Sequence, residues 1–432
     1  MHAAIVFPGQ GSQFAGMADV WITHDAAREV LDDATDAIGR DIVAGCRDEA
    51  ALTTTEFVQP ALLACDVAAF RVLDALGVTF VGAAGHSLGE FAALVAAEVV
   101  DLADALRIVV VRGRAMQAAG DARPGTMTAL LGVGGQDAAV LCDEAREGDV
   151  LLVANENSPQ QVVISGSVAA IERAEALAAE RKIRAVRLNV AGAFHSPLMA
   201  PAVEPLAAAI GEVPFAPPRF PIASNVTGAL VTDPKELRAL AERHVVSPVR
   251  WEACAGALRA VGADTFVEAG PGDVLTKLAK RAVPGARAVA IGSPEAAASL
   301  AAERAGGGTI RTVSPRRAPA GTPRRYPRPS GGRRAPPRGG TVSSQRHATV
   351  VGLGSVLPER IVSNEWFESF IDTSDEWIRE RTGIRERHYA LDGQTTSDLA
   401  TDATRRALET AAIAPEQIDL LVCATLTGDT PI

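Results

Sequence analysis

Residues 85–89 read Gly-His-Ser-Leu-Gly, and this segment holds the residue best suited to act as a nucleophile. An apolar, strand-like run (78–84) precedes it, and an Ala-rich, amphipathic run (91–99) follows it. A tight turn from a strand into a helix needs small residues around the serine and exposes its hydroxyl at a helix N-terminus. Free N–H groups at that terminus can stabilise an oxyanion. The pattern predicts Ser87 as the nucleophile of an acyl transfer.

A base is needed next, because a serine hydroxyl is a weak nucleophile until its proton is removed. Of the seven histidines, His195 is the best candidate. It lies in the loop Gly-Ala-Phe-His-Ser-Pro-Leu-Met at 192–199, directly after a predicted strand. A histidine without such a setting is more often a surface or core residue. We predict that His86, whose backbone belongs to the turn, is structural.

Two backbone N–H groups are candidates for the oxyanion site. One belongs to Leu88, the residue after the serine. The other belongs to Gln10, in the loop Pro-Gly-Gln-Gly-Ser-Gln at 8–13, where glycines permit close approach of the backbone. The same loop is also compatible with a simple tight turn after a first strand, and at this point both interpretations stay open.

Arg112 is a charged residue in an otherwise apolar helical run, Ile-Val-Val-Val-Arg-Gly-Arg at 108–114. Such an arginine either extends to solvent or meets an anion. Its planar guanidinium suits bidentate binding of a carboxylate. A hydrolase of neutral esters has no need of this group, so the residue favours an acidic substrate; an arginine that reaches solvent is the alternative.

The elements that must position these residues alternate between strand and helix over residues 1–300, which indicates an α/β fold with a mainly parallel sheet. Residues 126–190 follow the order β-α-β-β-α-β of a ferredoxin-like unit. We expect this unit to be a small subdomain inserted into a larger one, with a ligand cleft along the seam. Its predicted strands cover 127–133, 150–155, 162–165 and 184–190, and its predicted helices cover 136–146 and 168–180.

The composition argues against several classes of protein. The 432 residues carry a formal net charge of −10 and only 4% aromatic residues, which disfavours general nucleic-acid binding. The five cysteines are scattered without a C-x-x-C pair, so neither a disulfide framework nor a zinc site is expected. The sequence shows neither a signal-peptide pattern nor an apolar stretch of membrane-spanning length. We expect a cytoplasmic protein without membrane attachment.

Residues 301–347 differ from the rest of the chain. They contain eleven arginines and one acidic residue, Glu303, among many prolines and glycines. Such a segment cannot bury a core, so we expect a disordered linker. A tail that binds RNA or an anionic membrane is the alternative, but interleaved aromatic residues and an amphipathic period are lacking. Strand and helix patterns return over 348–432, with strands expected at 348–353 and 418–425.

Eight motifs together resemble the malonyl-CoA:acyl carrier protein transacylases, over roughly residues 1–300. Their order and spacing match that family. They are PGQGSQ at 8–13, QPA at 59–61, GHSLGE at 85–90, RGRAMQ at 112–117, NENSP at 155–159, FHSPLM at 194–199, PVRW at 248–251 and EAGPG at 268–272.

The resemblance implies an α/β fold made of an α/β-hydrolase-like large subdomain with an inserted ferredoxin-like (βαββαβ) small subdomain. It implies that Ser87 is the nucleophile and His195 the general base. The base would be oriented by a main-chain carbonyl near Arg250 rather than by an acid. The backbone N–H groups of Gln10 and Leu88 would bind the oxyanion.

The resemblance also implies how the substrate is bound. Arg112 would hold the free carboxylate of the malonyl group, and Phe194 and Asn155 would lie in the substrate site. Related polyketide acyltransferases with Ala-Phe before the histidine select malonyl over methylmalonyl, and Ala193 completes that pair here. The implied substrates are malonyl-CoA and phosphopantetheinylated acyl carrier protein. No cofactor or metal is implied, and the family favours a monomer.

Several alternatives accompany this interpretation. A serine hydrolase or thioesterase could use the same turn, and a polyketide-type acyltransferase shares the motifs. A non-catalytic scaffold for fatty-acid enzymes is a third possibility. Because acyl carrier proteins are acidic, we expect a basic patch near the cleft, with Lys182, Arg184 and Arg187 as candidates.

The C-terminal segment resembles a second family, β-ketoacyl-acyl carrier protein synthase III. The motifs are GLGSVLP at 352–358, DTSDEWI at 372–378 and RTGIRERH at 381–388. In that family Trp377 and Arg381 would contact CoA. The sequence ends before the family's Ala-Cys nucleophile, and Cys423 lies in a strand-like run instead. We expect an incomplete, thiolase-like fragment over 348–432, unable to perform condensation and joined to the first enzyme by fusion of two reading frames.

Overall fold

The computed structural model describes residues 2–305, 353–368, 373–382, 384–391 and 394–418. The chain divides into two units, Met1–Pro315 and Arg316–Ile432. The first five residues of the predicted linker, 301–305, form the end of a helix instead, so the expected disorder is wrong there; the rest of the linker lies outside the described residues. The same holds for the two C-terminal strands predicted at 348–353 and 418–425, for Cys423, and for the side chains of Trp377 and Arg381.

Two sheets form the framework of the first unit. Their strands are β1 (Ala3–Phe7), β2 (Gly82–Gly85), β3 (Gly125–Leu131), β4 (Leu151–Ser158), β5 (Gln161–Ser167), β6 (Arg184–Arg187), β7 (Ile222–Ala223), β8 (Leu230–Val231), β9 (Thr265–Ala269) and β10 (Arg287–Ile291). The larger sheet has the order β10-β9-β1-β2-β7-β8, and the smaller has the order β4-β5-β3-β6.

Twelve helices of this unit lie between the strands. They are α1 (Asp25–Ile38), α2 (Ile42–Arg47), α3 (Thr55–Ala75), α4 (Gly89–Ala96), α5 (Leu102–Ala122), α6 (Gly135–Ala145), α7 (Val168–Glu180), α8 (Val203–Gly211), α9 (Pro234–Arg243), α10 (Trp251–Ala260), α11 (Val274–Ala282) and α12 (Pro294–Ala305). Short 3-10 helices occur at Asp19–Trp21, Ala51–Thr53, Pro197–Ala202 and His244–Val246.

The larger sheet is parallel except for β8, which confirms the predicted α/β class. Strand β1 lies in its interior, and all five of its side chains are buried. A strand covered on both faces reads as a continuous apolar run rather than as an alternating one, which explains the sequence Ala-Ala-Ile-Val-Phe. The carboxyl ends of β1 and β2 meet at one edge, because Phe7 pairs with Gly85.

Strand β2 is shorter than the apolar run that predicted it. The run covers 78–84, whereas the strand begins at Gly82, opposite Ala4 of β1. The length of a parallel strand is limited by the partner beside it, and β1 begins only at Ala3. Val78 is instead buried in the core, so its apolar character serves packing rather than pairing.

The smaller sheet is antiparallel throughout. Its elements run β-α-β-β-α-β along the chain, consistent with the predicted ferredoxin-like unit, and α7 coincides with the helix predicted at 168–180. A separate apolar core fills the space between this sheet and α6 and α7, with Leu130, Leu141 and Ile164 among its members. Strand β6 ends at Arg187, earlier than predicted, because residues 188–190 leave the sheet toward the candidate site.

Asp66 on α3 is fully buried, and neither of its carboxylate oxygens has a hydrogen-bond partner among the described residues. Burial, with a smaller effect of Glu268, raises the pKa of this carboxyl well above its ordinary value. Folding therefore takes up a proton at pH values between the pKa of Asp66 in the unfolded chain and its raised pKa in the folded chain. Stability is highest below the unfolded-state pKa and falls as the pH rises toward the folded-state pKa, by at most about 1.4 kcal/mol per pH unit.

We expect Asp66→Asn to remove this loss, because an amide has no proton to take up. The midpoint of thermal unfolding of the full chain, measured by calorimetry at intervals from pH 4.5 to pH 8, should fall less with pH in the variant than in the wild type. The exposed Asp33 of α1 provides the control: Asp33→Asn should leave the pH dependence unchanged. An equal pH dependence in Asp66→Asn and the wild type would contradict the prediction.

The second unit contains β11 (Arg360–Ser363), β12 (Glu386–Tyr389), α13 (Asn364–Glu368), α14 (Asp375–Thr382), α15 (Thr396–Ala411) and a 3-10 helix at Pro415–Gln417. Strands β11 and β12 pair antiparallel. The buried Asn364 donates to Asp375 Oδ1 (2.9 Å) and accepts from Arg387 (2.7 Å), which connects α14 to the pair of strands. Large apolar side chains such as Leu353 and Leu357 are exposed among the residues described here.

Candidate active site

The serine turn joins β2 to α4, as predicted. Two glycines are required by close backbone contacts: a Cβ on Gly85 would lie 1.8 Å from the carbonyl carbon of Gly89, and a Cβ on Gly89 would lie 2.1 Å from the carbonyl oxygen of Phe7. Ser87 itself has φ of +52°, in the left-handed region that side chains rarely adopt. The Gly-x-Ser-x-Gly spacing therefore reflects a strained turn, and such strain in a non-glycine residue is typical of functional sites.

His195 lies against this serine. Ser87 Oγ and His195 Nε2 are 2.8 Å apart, within hydrogen-bond distance, although 108 residues separate them in the sequence. The ring is buried, and its Nδ1 lies 3.0 Å from the carbonyl oxygen of Ser247 and 3.3 Å from that of His244. A carbonyl can only accept, so Nδ1 carries the proton and Nε2 presents its lone pair to the hydroxyl. The orienting carbonyl nearest to Nδ1 lies three residues before Arg250.

The protonation state of His195 suits a general base. Burial, then the positive charge of Arg112 and then His86 lower the pKa of its imidazole from 6.5 to about 3. The ring is therefore neutral at neutral pH and remains so well below pH 6. Removal of a proton from the serine hydroxyl requires this neutral form.

This pKa predicts the pH dependence of acylation. Because the neutral base persists as the pH falls, the rate constant of Ser87 acylation should show no decline centred near pH 6.5. Single-turnover rates measured between pH 5 and pH 8 provide the test. An acid limb with a midpoint near 6.5 would contradict the prediction, since it would indicate an imidazole with its ordinary pKa.

Arg112 is fully buried in α5, so the alternative of an arginine that reaches solvent is wrong. Its Nη1 donates to Gln59 Oε1 at 2.7 Å, and its Nη2 donates to Ser87 Oγ at 3.1 Å. The guanidinium carbon lies 5.8 Å from the centre of the Phe91 ring. Burial lowers the pKa of Arg112 to about 10, which leaves the group charged at neutral pH. A positive charge thus lies beside the nucleophile.

Gln59 is a residue whose role the sequence did not reveal. It belongs to the QPA motif of α3 and is buried, and its carboxamide contacts both Arg112 and Met116 Sδ. The only signal in the sequence was a polar residue in an apolar helix. The structure shows that this residue fixes one arm of the guanidinium.

The loop that carries Gln10 lies directly against the turn. A Cβ on Gly9 would lie 2.2 Å from the carbonyl oxygen of His86 and 3.7 Å from the backbone nitrogen of Leu88, so the loop can approach this closely only because residue 9 is glycine. Within the described part of the chain, the backbone N–H groups of Gln10 and Leu88 form no hydrogen bond. Of the two residues, Gln10 lines the cavity beside Ser87.

These residues line one cavity of about 90 Å³. The large-sheet side supplies the serine turn, the Gln10 loop, α3 and α5, and the small-sheet side supplies Met127, Asn155 and the segment after β6. The cavity thus lies at the seam where the sequence predicted a cleft. Asn155 is buried, and its Oδ1 has no partner among the described residues. Phe194 contributes an apolar wall next to the base.

The sequence analysis also predicted a structural role for His86 and a basic patch near the cleft. His86 Nε2 lies 2.8 Å from Asn157 Oδ1, and its ring lies near Trp251, which fits the structural role expected of it. In the candidate basic patch, Arg187 already pairs with Glu175 through Nε at 2.8 Å, so its charge is largely offset. Lys182 and Arg184 lie at the start of the same edge strand, where Arg184 is exposed.

Comparison with known proteins decides the family. Residues 4–305 match the model of the acyl transferase domain. The malonyl CoA-acyl carrier protein transacylase of Escherichia coli K12 is 41% identical over 302 residues, which cover 68% of this chain and 97% of that protein. The chain belongs to the acyl transferase family. The Bacillus subtilis protein of the same name is 37% identical, with 94% of its length covered.

Solved structures of acyl transferases agree with this assignment. The acyl carrier protein S-malonyltransferase of Vibrio cholerae has a TM-score of 0.67 and 39% identity, and the match covers 69% of this chain and all of that one. A malonyl-transacylase in complex with a type II polyketide acyl carrier protein has the same TM-score and 35% identity, covering 70% and 100%. Within the described residues, no helix is both long and apolar enough to cross a bilayer.

Proposed function

We propose that this acyl transferase moves the malonyl group from malonyl-CoA to the phosphopantetheine thiol of acyl carrier protein through a malonyl ester of Ser87. One observation carries the proposal: the guanidinium of Arg112 lies 3.1 Å from the nucleophilic oxygen of Ser87, in the cavity that both residues line. A charged group at this distance from the reacting atom suits an acyl group that ends in a carboxylate.

In the first half-reaction, His195 Nε2 takes the proton of Ser87 Oγ as this oxygen attacks the thioester carbonyl. The tetrahedral oxyanion is bound by the free N–H groups of Gln10 and Leu88, which are aimed at charge that develops only in the transition state. Collapse breaks the C–S bond, and the departing CoA sulfur receives the proton from His195. The malonyl group remains on Ser87 as an ester.

The second half-reaction reverses these steps with a different thiol. His195 takes the proton of the phosphopantetheine thiol, and the sulfur attacks the ester carbonyl. The oxyanion forms at the same two N–H groups, and Ser87 leaves with the proton returned by His195. Bonds made and broken balance, and the enzyme returns to its starting state.

Arg112 provides selectivity in this mechanism. It binds the malonyl carboxylate, while Gln59 holds the other arm of the guanidinium in place. An acetyl group would leave the buried charge unpaired, and sites with an unpaired buried group reject such substrates. Phe194 bounds the space around the acyl group, and the free Oδ1 of Asn155 is available to a donor on the substrate. A serine hydrolase has no use for a buried arginine beside its nucleophile.

The proposal extends to the arrangement of the chain. We propose a transacylase domain over 1–300, continued by α12 to Ala305, whose small sheet is a ferredoxin-like subdomain inserted into an α/β-hydrolase-like one. A linker over the rest of 301–347 and a segment over 348–432 akin to ketoacyl synthase III follow it. The separate core of the small sheet supports the first part, and the motifs at 372–378 and 381–388 support the last. We also propose that the protein is a cytoplasmic monomer and uses no cofactor.

Intact-protein mass spectrometry tests the function. The full chain is mixed briefly with malonyl-CoA and then with phosphopantetheinylated acyl carrier protein, from either a fatty-acid or a type II polyketide system. We expect one malonyl adduct on Ser87 that is discharged onto the carrier. Discharge to water at the same rate without carrier would indicate a hydrolase instead, and failure to form any adduct would contradict the proposal.

A further inference from the structure

Asn225, which follows β7 in the larger sheet, is fully buried and uses both ends of its carboxamide on the main chain of the serine turn. Its Oδ1 accepts the N–H of Ser87 at 2.8 Å, and its Nδ2 donates to the carbonyl of Gly85 at 2.7 Å. These two main-chain groups flank His86, so one planar amide spans the turn. An ionised aspartate would lack the donor, and a serine hydroxyl would be too small to span both groups.

This contact restrains an unfavourable conformation. The left-handed φ of +52° at Ser87 is unfavourable in a residue with a side chain. The turn therefore persists only where its surroundings stabilise it, and Asn225 bonds to one main-chain group before His86 and one after it. The contact also occupies the N–H of Ser87, whereas the next N–H, that of Leu88, forms no hydrogen bond within the described part of the chain.

The same asparagine reaches the groups that orient the base. His244 Nε2 lies 3.3 Å from Asn225 Oδ1, and the carbonyl oxygen of His244 lies 3.3 Å from Nδ1 of His195. The backbone N–H of Asn225 donates to Glu90 Oε2 at 2.8 Å, in the first turn of α4. Asn225 thus contacts the nucleophile turn, the helix that follows it and the residue behind the base.

We propose that Asn225 is a positioning residue for the acyl transfer. It keeps the Ser87 turn aligned with His244, whose carbonyl helps to orient His195. The inference rests on the proposed function and concerns the same site. Loss of the carboxamide would change the geometry of attack while the contact between Arg112 and the substrate carboxylate persists. The maximal rate of acylation should therefore fall, and the concentration of malonyl-CoA that gives half of this rate should change little.

Single-turnover acylation of the full chain, followed by quenched-flow mass spectrometry, tests this inference. We expect Asn225→Ala to lower the maximal rate about 100-fold, the loss that follows from a small misplacement of reacting groups. The isosteric Asn225→Asp should show a comparable loss, because it keeps the acceptor for Ser87 but not the donor for Gly85. Cys142→Ala is the matched control: it truncates a buried side chain on α6, in the separate core of the small sheet, so the rate should be unchanged.

A wild-type rate in either folded Asn225 variant would overturn the inference, as would a loss explained wholly by weaker binding of malonyl-CoA. If neither variant folds, the residue has a structural role, and the inference is overturned as well. Labelling of Ser87 by a fluorophosphonate separates this outcome from failure of the proposed function, since that probe has no malonyl group. Wild-type protein that reacts with the probe but not with malonyl-CoA would contradict the proposed function alone, and labelling rates would then decide the role of Asn225.

Discussion

Ser87→Ala should abolish the malonyl adduct and reduce transfer to the carrier protein by a factor on the order of 10⁴ or more. Without the hydroxyl no covalent intermediate can form, and the remaining groups of the cavity cannot replace it. His195 would retain its neutral ring but would have no proton to remove. The oxyanion donors would still surround a bound thioester, yet a direct attack by the carrier thiol would require both substrates in a cavity of about 90 Å³.

The measurement is intact mass after mixing with malonyl-CoA, together with the rate of carrier malonylation. Ser299→Ala provides the matched control, because Ser299 lies on the outer helix α12 and its hydroxyl bonds only within that helix. It should form the adduct at the wild-type rate. An adduct that persists in Ser87→Ala would place the nucleophile elsewhere, and peptide mapping would then identify it.

The serine turn could be predicted from the sequence because its determinants are local. A strand, two glycines and a helix start within a few residues restrict the backbone to one conformation, and the structure shows the close contacts that exclude larger residues at Gly85 and Gly89. The helix at 168–180 was predicted correctly for a similar reason. Its Ser167 side chain accepts from the N–H of Ala170, a signal contained in four consecutive residues.

The partners of the site could not be predicted, because they depend on packing between distant segments. Asn225 bonds to a residue 138 positions away, and the carbonyl of Ser247 orients an imidazole 52 positions earlier. A backbone carbonyl leaves no trace in the residue type, so a carbonyl near Arg250 could be expected only through the family resemblance. The burial of Arg112 also depends on the packing of α3 against α5. The sequence left open whether this side chain reaches solvent, and the packing places it beside the nucleophile.

Arg112→Ala should separate recognition of the malonyl carboxylate from the chemistry at Ser87. Removal of one partner of a buried charge pair costs roughly 2–5 kcal/mol, which corresponds to a loss of about 30- to 4,000-fold in kcat/KM for malonyl-CoA. Acetyl-CoA should lose much less, since it has no carboxylate to bind and no longer meets an unpaired guanidinium. The ratio of malonyl to acetyl transfer should therefore fall by about the same factor as malonyl transfer itself.

Competition between malonyl-CoA and acetyl-CoA for Ser87, read as the ratio of the two adducts, measures this effect directly. Arg114→Ala is the matched control, two residues further along α5, where the side chain is exposed and pairs with Glu56 at 2.7 Å. It should leave the adduct ratio unchanged. Equal losses for both acyl groups in Arg112→Ala would mean that the guanidinium acts on the serine or the base rather than on the carboxylate. A charge buried beside the nucleophile would then serve the reaction common to all acyl groups, and selectivity for malonyl would have to arise from the cavity walls around Phe194.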